Sequence, residues 1–407
     1  MQEDAAEPSV THSERPWIFG LLIAPVAVLS NGVISGVLSY LLRQQGVGSA
    51  RGAAIISLLN LPQTIYFLWS PVTDFWILRR NWLMLGSVAS AALLMVAFHQ
   101  PNLATRTAVT LLFLSACLCQ LVVASCGGMM GTLHAEATRR RASSFYQAGS
   151  LAFGALGIFV LASLAGKFQL GTLGWITAAL VALPALIAFG APRQDFIQTN
   201  GFNDAMARVW SEFKATFIRW EAIPYTLLMT FPIASGAAIG LLPGLAVDYG
   251  VGGQQIAWMN GLGGAVLTAA GALAASLVPA RISAPVAYLT SGIINATTLA
   301  VLALGPLHPA TYFTGVTLYL FTVGAGYALF TAVLLEFLGA SGKSGSGRYS
   351  IINSLGNVPV VYMIFLDGKG YGHWGTRGLP ATEAIVGTLG AVILLAYFLT
   401  RKQQPAV

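Results

Sequence analysis

The chain has 407 residues, of which 56% are hydrophobic and 9% charged, and its formal net charge is +7. Soluble domains carry about 25% charged residues, so this composition excludes a soluble globular enzyme. Lipid is the solvent that the sequence predicts for most of the chain. We therefore expect the positive charge to set membrane orientation rather than to bind nucleic acid.

The apolar runs are about as long as a membrane helix, and they show none of the alternation typical of a β-barrel. We predict an all-α integral membrane protein with twelve transmembrane helices in two pseudo-symmetric six-helix bundles. The predicted helices cover 16–41, 50–71, 81–99, 105–130, 145–166, 172–191, 222–247, 255–279, 284–304, 309–336, 346–367 and 379–400. Prolines inside these runs, among them Pro25, Pro232 and Pro243, predict kinks.

The basic residues predict the orientation. With a cytoplasmic N-terminus, fifteen of the 21 Lys and Arg residues fall in cytoplasmic segments and six outside. The first residues lack the basic region of a cleavable signal peptide, so we expect the first helix to remain. We predict a multi-pass protein of a bacterial-type cytoplasmic (inner) membrane with both termini cytoplasmic.

The longest polar interruption divides the chain into two halves. We predict a cytoplasmic tail at 1–15, an N-terminal bundle at 16–191, a cytoplasmic amphipathic linker at 192–221, a C-terminal bundle at 222–402 and a tail at 403–407. Gly46-Val47-Gly48 matches Gly250-Val251-Gly252 at an offset of half the chain, as duplication of a six-helix unit would give. The three cysteines share one apolar stretch, so we expect neither disulfides nor a metal site.

The loop after the second helix places Asp74 shortly before Arg79 and Arg80. Twelve spans, a central linker and this loop resemble the major facilitator superfamily, whose loop 2–3 signature is G-x-x-x-D-R-x-G-R-R. Asp74 matches its aspartate and Arg79–Arg80 lie close to its basic pair, while Ser70, Phe75 and Ile77 depart from it. The resemblance implies alternating access and gives these three charged residues a gating role. The alternative is plain positive-inside charge at a helix end.

The stretch 134–149 combines an acid, a basic cluster and Tyr146-Gln147-x-Gly149. With the Trp-x-Pro-x-x-Asp pattern that ends at Asp74, it is similar to the AmpG-like branch of that superfamily, which includes muropeptide permeases and peptide/acetyl-coenzyme A-type transporters. This resemblance implies muropeptide or saccharide-type cargo but does not fix it.

Polar residues within the predicted helices are the candidates for a solute pathway, because unpaired amides and hydroxyls in hydrocarbon are costly and should face the bundle interior. The candidates are Asn31, Ser35, Asn60, Gln63, Gln120, Tyr146, Gln147, Thr230, Asn260, Tyr319, Asn353 and Asn357. The alternative is that they only bond neighbouring helices.

Acids near helix ends are the candidates for ion coupling. They are Asp248, Glu336 and Asp367, and Glu383 lies at the predicted start of the last helix. We expect no acid in the middle of a span, and we expect the glycine-rich segment 367–378 to be a loop.

The sequence therefore predicts a secondary active or facilitative transporter of a small polar or amphipathic solute. A drug or metabolite exporter and a non-transporting sensor on the same fold remain open as alternatives. We expect no enzymatic activity, catalytic residues, cofactor or metal. The expected partners are a small-molecule substrate, membrane lipid and, as a candidate, protons, with no nucleic acid, and the chain is expected to be a monomer.

Overall fold

The computed structural model describes residues 15–131, 133, 136–191, 201–279, 281–339, 351 and 354–401. These residues are mostly helical, and their only β contact is an isolated bridge between Ala165 and Phe168. Each of the twelve predicted segments contains helix among its described residues. The fold is the predicted all-α membrane fold.

Six helices form the N-terminal half. Helix 1 is Ile18–Gln44, helix 2 is Ser49–Ile65 with a 3-10 turn at Tyr66–Leu68, helix 3 is Arg79–Phe98, helix 4 is Arg106–Gly131, helix 5 is Glu136–Leu164, and helix 6 is Leu170–Ala182 with a 3-10 end at Leu183–Gly190. Helix 1 lies at the centre, since most of its apolar residues are buried.

Six segments form the C-terminal half. Helix 7 is broken into Ile223–Thr230, Ala237–Gly240 and Leu242–Ala246, helix 8 is Gly253–Ala275, helix 9 is Ala284–Leu304, helix 10 is Pro309–Gly339, helix 11 is Val358–Trp374, and helix 12 is Gly378–Arg401. We call the side on which helix 1 begins and helix 12 ends the terminal face, and the other side the opposite face.

Nine stretches of the described chain are long and apolar enough to cross a membrane. One of them, Ser354–Thr400, joins helices 11 and 12 across a short 3-10 turn. Helices 2 and 7 are not among the nine, because the α-helical part of helix 2 has 17 residues and helix 7 is interrupted. Helix 7 breaks after Thr230, beside Pro232, as a proline without an N–H donor favours.

Hydroxyl groups from three neighbouring helices satisfy the broken backbone of helix 7. The carbonyl oxygens of Thr230, Ile233, Ser235 and Leu242 accept hydrogen bonds from Tyr362, Tyr288, Tyr327 and Tyr312 over 2.6–3.2 Å. Unpaired backbone groups cannot be left in hydrocarbon, so these tyrosines make the break possible. The break is thus a built feature of the C-terminal half.

The prediction that the glycine-rich segment 367–378 forms a loop is wrong, because helix 11 continues to Trp374. Its glycines allow close packing. Gly368 lies against Ala53 of helix 2, and Gly370 against Gly378 and Thr382 of helix 12. Small residues let membrane helices approach closely, so the glycine content here marks an interface.

A helix at Phe202–Phe217 connects the halves, within the segment predicted as an amphipathic linker. Trp210 stacks on Phe213 at 5.4 Å, and Phe217 packs near Phe337 of helix 10. One face of this helix is therefore aromatic, while Asp204 and Lys214 are exposed.

Candidate functional site

Helix 1 exposes an amide at its centre. Residues Ala27–Val37 form a π-helical stretch, whose wider turns are frequent at functional sites. Asn31 is exposed there, although its neighbours Ser30 and Gly32 are buried, and its amide donates to Ser150 of helix 5 over 3.3 Å. Since helix 1 is enclosed by other helices, the exposed Asn31 faces the interior.

Helices 1 and 2 share a hydrogen-bond network one turn away. The side-chain oxygen of Asn60 accepts from Ser35 over 3.1 Å and from Gln63 over 2.9 Å, and its nitrogen donates to the carbonyl of Ile56. Three predicted pathway residues are thus brought together, and Asn31 lies on the same helix as Ser35. Asn60 is buried, whereas Gln63 is partly exposed.

The other candidates of the N-terminal half lie on helices 4 and 5. Gln120 is 3% exposed, and its side-chain nitrogen has no hydrogen-bond partner among the described residues. A buried unpaired amide is costly, so Gln120 is a group that a solute or water would satisfy. Tyr146 is half-buried and packs against an apolar cluster, whereas Gln147 is exposed.

The candidates of the C-terminal half behave differently from one another. The oxygen of Asn260 lies 2.9 Å from the Tyr312 hydroxyl and shares its hydrogen with the Leu242 carbonyl, while the Asn260 nitrogen has no partner in the described part. The hydroxyl of Thr230 donates to Thr226 in its own helix, which is a structural role. Asn357 precedes helix 11, and Asn353 lies outside the described residues, as do 134 and 135 of the loop 4–5 motif.

The two halves contact each other toward the opposite face. Gly240 packs near Ser35, the N–H of Gly244 donates to the Ser39 hydroxyl over 3.0 Å, and Asp248 pairs with Arg43. Each partner in helix 7 lies 205 residues beyond its partner in helix 1, close to the predicted repeat offset. We call these three contacts between helices 1 and 7 the ladder. Helices 2 and 11 join beside this ladder, where Ser57 donates to the carbonyl of Val361 over 2.7 Å.

The Arg43–Asp248 ion pair ends the ladder at the opposite face. Asp248 also accepts hydrogen bonds from Tyr371 over 2.7 Å and from Thr376 over 3.0 Å. The Arg43 guanidinium lies 5.9 Å from the centre of the Tyr371 ring, which allows a cation–π contact. One acid therefore ties helix 1 to helices 7 and 11.

Loop 2–3 forms a separate charged contact within the N-terminal half. Arg79 pairs with Asp74 at 2.7 Å and donates to the carbonyl of Gly128 in helix 4 over 2.8 Å. The adjacent Arg80 is partly exposed, and its Nε has no partner among the described residues. These contacts hold helices 2, 3 and 4 together near the terminal face.

The prediction that acids lie only near helix ends was wrong for Asp367. Asp367 lies within helix 11 and is fully buried, facing Glu383 of helix 12, which is 3% exposed. Glu383 accepts from the Tyr319 hydroxyl over 2.6 Å and from the N–H of Ala238 over 2.8 Å. Tyr319, predicted for the pathway, is therefore a ligand of this carboxyl group.

The remaining coupling candidate is exposed. Glu336 accepts a hydrogen bond from Tyr225 over 2.9 Å near the terminal ends of helices 10 and 7. The role of Glu383 does not follow from the sequence pattern, because the glycines that precede it favour a loop. The continuous apolar character of Ser354–Thr400 is the signal that places both acids inside a span.

No protein-family model matches the sequence, and no curated protein matches it. Solved structures do match. The nucleoside transporter NupG has a TM-score of 0.70 at 11% identity, over 96% of this chain and 99% of that chain. A peptide transporter POT in complex with sulfate has a TM-score of 0.72 at 11% identity, over 95% and 94% of the two chains. A POT family transporter in complex with a thioalcohol-conjugated peptide has a TM-score of 0.70 at 10% identity, over 96% of each chain. With this likeness along almost its whole length, the chain has the fold of the major facilitator superfamily.

Proposed function

We propose that the protein is a transmembrane transporter that moves a small polar or amphipathic solute by alternating access. One observation carries the proposal: the contacts between the halves form a ladder toward the opposite face, through residues 205 apart in the chain. Such a closure can open as the halves rock about a central site. Similar structures of nucleoside and peptide transporters support the same activity.

The solute site that we propose lies between Asn31 and the Asn60 network, with Gln120 and Asn260 as further amides. These groups are neutral donors and acceptors, which suit hydroxyl- and amide-bearing solutes. A strongly anionic solute would require a guanidinium or ammonium partner. We propose a saccharide-type solute as the first candidate. A muropeptide is the second, because the AmpG-like pattern ending at Asp74 favours it but its carboxylates would find no basic partner among these amides. The cytoplasmic position of the terminal face and the gating role of loop 2–3 belong to this proposal.

Binding is tested first. The purified protein is heated with muropeptide fragments, sugars, nucleosides, peptides and lipophilic cations, because a ligand of the folded state raises the melting temperature. We expect Asn31→Ala to abolish the shift given by the active compound. Thr230→Val is the matched control and should keep it, since that hydroxyl bonds its own helix.

Transport is tested by locking the ladder. A Cβ built on Gly244 lies 2.9 Å from the Cβ of Ser39, closer than the roughly 3.5–4.5 Å that a disulfide requires, so helices 1 and 7 must move slightly apart for the bond to form. We expect a Ser39→Cys/Gly244→Cys protein, without the native cysteines, to lose uptake into proteoliposomes on oxidation and to recover it on reduction. Uptake that persists in the oxidised protein contradicts alternating access through this face. In the melting-temperature screen, stabilisation by lipophilic cations alone favours an exporter.

A further inference from the structure

Two carboxyl groups are enclosed together inside the C-terminal half. Asp367 of helix 11 is fully buried, and Glu383 of helix 12 faces it at 3% exposure. Neither takes part in the two ion pairs that the described residues form. A pair of acids without a cation is expensive inside a membrane protein, and such groups are characteristic of ion pathways.

The two groups have unequal surroundings. Glu383 accepts from the Tyr319 hydroxyl and the Ala238 N–H, with the Ser235 hydroxyl at 3.4 Å. Neither oxygen of Asp367 accepts a hydrogen bond from a donor group in the described part of the chain, and Glu383 is the polar group that it faces. Donors stabilise a carboxylate, whereas an enclosed carboxyl without donors is stable only in its neutral form. The arrangement therefore suits one negative charge on Glu383 and one proton on Asp367.

The pair also lies beside both contacts that close the opposite face. The residue after Asp367 is Gly368, which packs on Ala53 of helix 2. Glu383 accepts a hydrogen bond from the N–H of Ala238, near the start of the part of helix 7 that contains Gly240 and Gly244. These two glycines pack against helix 1. A change in the charge of the pair therefore has two short routes to the N-terminal half. One passes through Gly368 of helix 11, and the other through the turn of helix 7 that follows Ala238.

We propose that Asp367 and Glu383 form a proton-binding site that controls closure of the opposite face, an inference that rests on the proposed transport function. One proton on Asp367 keeps the face closed. On release, the O–H bond of Asp367 breaks, the proton passes to water, and two carboxylates remain. Their repulsion in a low-dielectric interior loosens helices 11 and 7 from the N-terminal half.

The other titratable groups that face the pair are tyrosines. Helix 10 contributes Tyr319 and Tyr327, and helices 2 and 7 contribute Ala53, Ala238 and Ser235, which do not titrate. On helix 11 itself, Tyr362 and Tyr371 are bonded to Thr230 and Asp248. Tyrosine ordinarily loses its proton at much higher pH than a carboxyl group, so the acids are the groups of the cluster that we expect to exchange the proton.

The proposal can be tested without a solute by measuring how readily a reagent reaches a cysteine placed inside the closed opposite face. Leu245 is 2% exposed and lines a small pocket between the halves with Arg43 and Tyr371. In protein without native cysteines, Leu245→Cys is labelled with a membrane-impermeant maleimide at increasing pH. A second protein with Gly252→Cys, an open surface position, corrects for the intrinsic reactivity of the thiol.

We expect corrected labelling of Leu245→Cys to rise several-fold from mildly acidic to alkaline pH. Asp367→Asn should hold labelling at its low level throughout, because the asparagine cannot lose the proton. Asp204→Asn in the exposed linker helix should behave as the parent protein. A pH-dependent rise that survives in Asp367→Asn overturns the proposal.

Infrared spectroscopy gives a second measurement on the unaltered protein. We expect the C=O band of a protonated carboxyl to disappear over the same pH range in which labelling rises, to be absent in Asp367→Asn and to shift in Glu383→Gln. A band unchanged in Asp367→Asn overturns the proton site. Loss of solute uptake with both pH effects intact would count against the transport function alone, and uptake without them against this inference alone.

Discussion

At the residue scale, Asp248 joins helix 7 to both helix 1 and helix 11. It bonds Arg43, Tyr371 and Thr376 while remaining partly exposed. Its side chain is 13% exposed and that of Arg43 is 24% exposed, so solvent screens the pair only in part. The pair is therefore expected to bias the closed state without fixing it.

Arg43→Gln should weaken closure of the opposite face. Loss of a partly exposed ion pair costs about 1 kcal/mol, equivalent to roughly a fivefold change in the closed-to-open ratio. Labelling of Leu245→Cys should rise accordingly. The exchanged pair Arg43→Asp/Asp248→Arg should lower labelling of Leu245→Cys part of the way back. Unchanged labelling in Arg43→Gln would show that the ion pair does not help to close the opposite face.

Glu383→Ala should lower the melting temperature more than Glu383→Gln. Alanine leaves the buried Ala238 N–H and Tyr319 hydroxyl without an acceptor, which costs about 1–3 kcal/mol for each group. Glutamine retains an acceptor oxygen. Thermal unfolding in detergent measures both variants, and equal melting temperatures would show that the hydrogen bonds do not hold the break of helix 7.

At the element scale, helix 11 is defined by its small residues. Glycine at 368 lets it approach helix 2, and glycines at 370 and 378 let it approach helix 12. In water such a sequence would be a flexible loop, because glycine favours neither helix nor strand. In lipid the same residues remove side chains that would separate the helices.

Gly368→Ala should disturb the contact between helices 2 and 11, since its Cβ would overlap Ala53. We expect a lower melting temperature and higher Leu245→Cys labelling. Ala53→Gly in the same protein should relieve the overlap and restore both values. Gly372→Ala is the matched control, because its Cβ would lie 3.5 Å from Ala50, an ordinary contact.

At the scale of the whole molecule, the two halves meet through matched positions in helices 1 and 7. Ser39 with Gly244 and Arg43 with Asp248 share one offset, which follows from two similar bundles facing each other. The helices run in the same direction across this contact, so each turn adds one pair of facing residues. Separation of the halves must break all of these contacts together, which favours two discrete states over gradual opening.

A protein locked by the Ser39→Cys/Gly244→Cys disulfide should unfold at a higher temperature than its reduced form. A cross-link over this length of chain contributes about 5 kcal/mol in the chain-entropy model, less any strain. The comparison of oxidised and reduced samples in thermal unfolding measures it. Each single-cysteine variant should show no dependence on reductant, which serves as the control.

The sequence alone determined that the chain is an all-helical membrane protein with twelve segments, because apolar length and scarcity of charge suffice for that prediction. It also indicated Asn31, Ser35 and Asn60 as interior groups, since amides are costly in hydrocarbon. These properties depend on composition and on neighbours in the chain.

Only the tertiary structure decided which polar groups meet. Asp367 and Glu383 are separated by a segment that resembles a loop, and they become a buried pair because helices 11 and 12 pack through glycines. The partners of Asp248 and the tyrosines that satisfy helix 7 come from distant parts of the chain. Partner choice depends on packing between helices, and a linear pattern of hydropathy carries no information about which helices are neighbours.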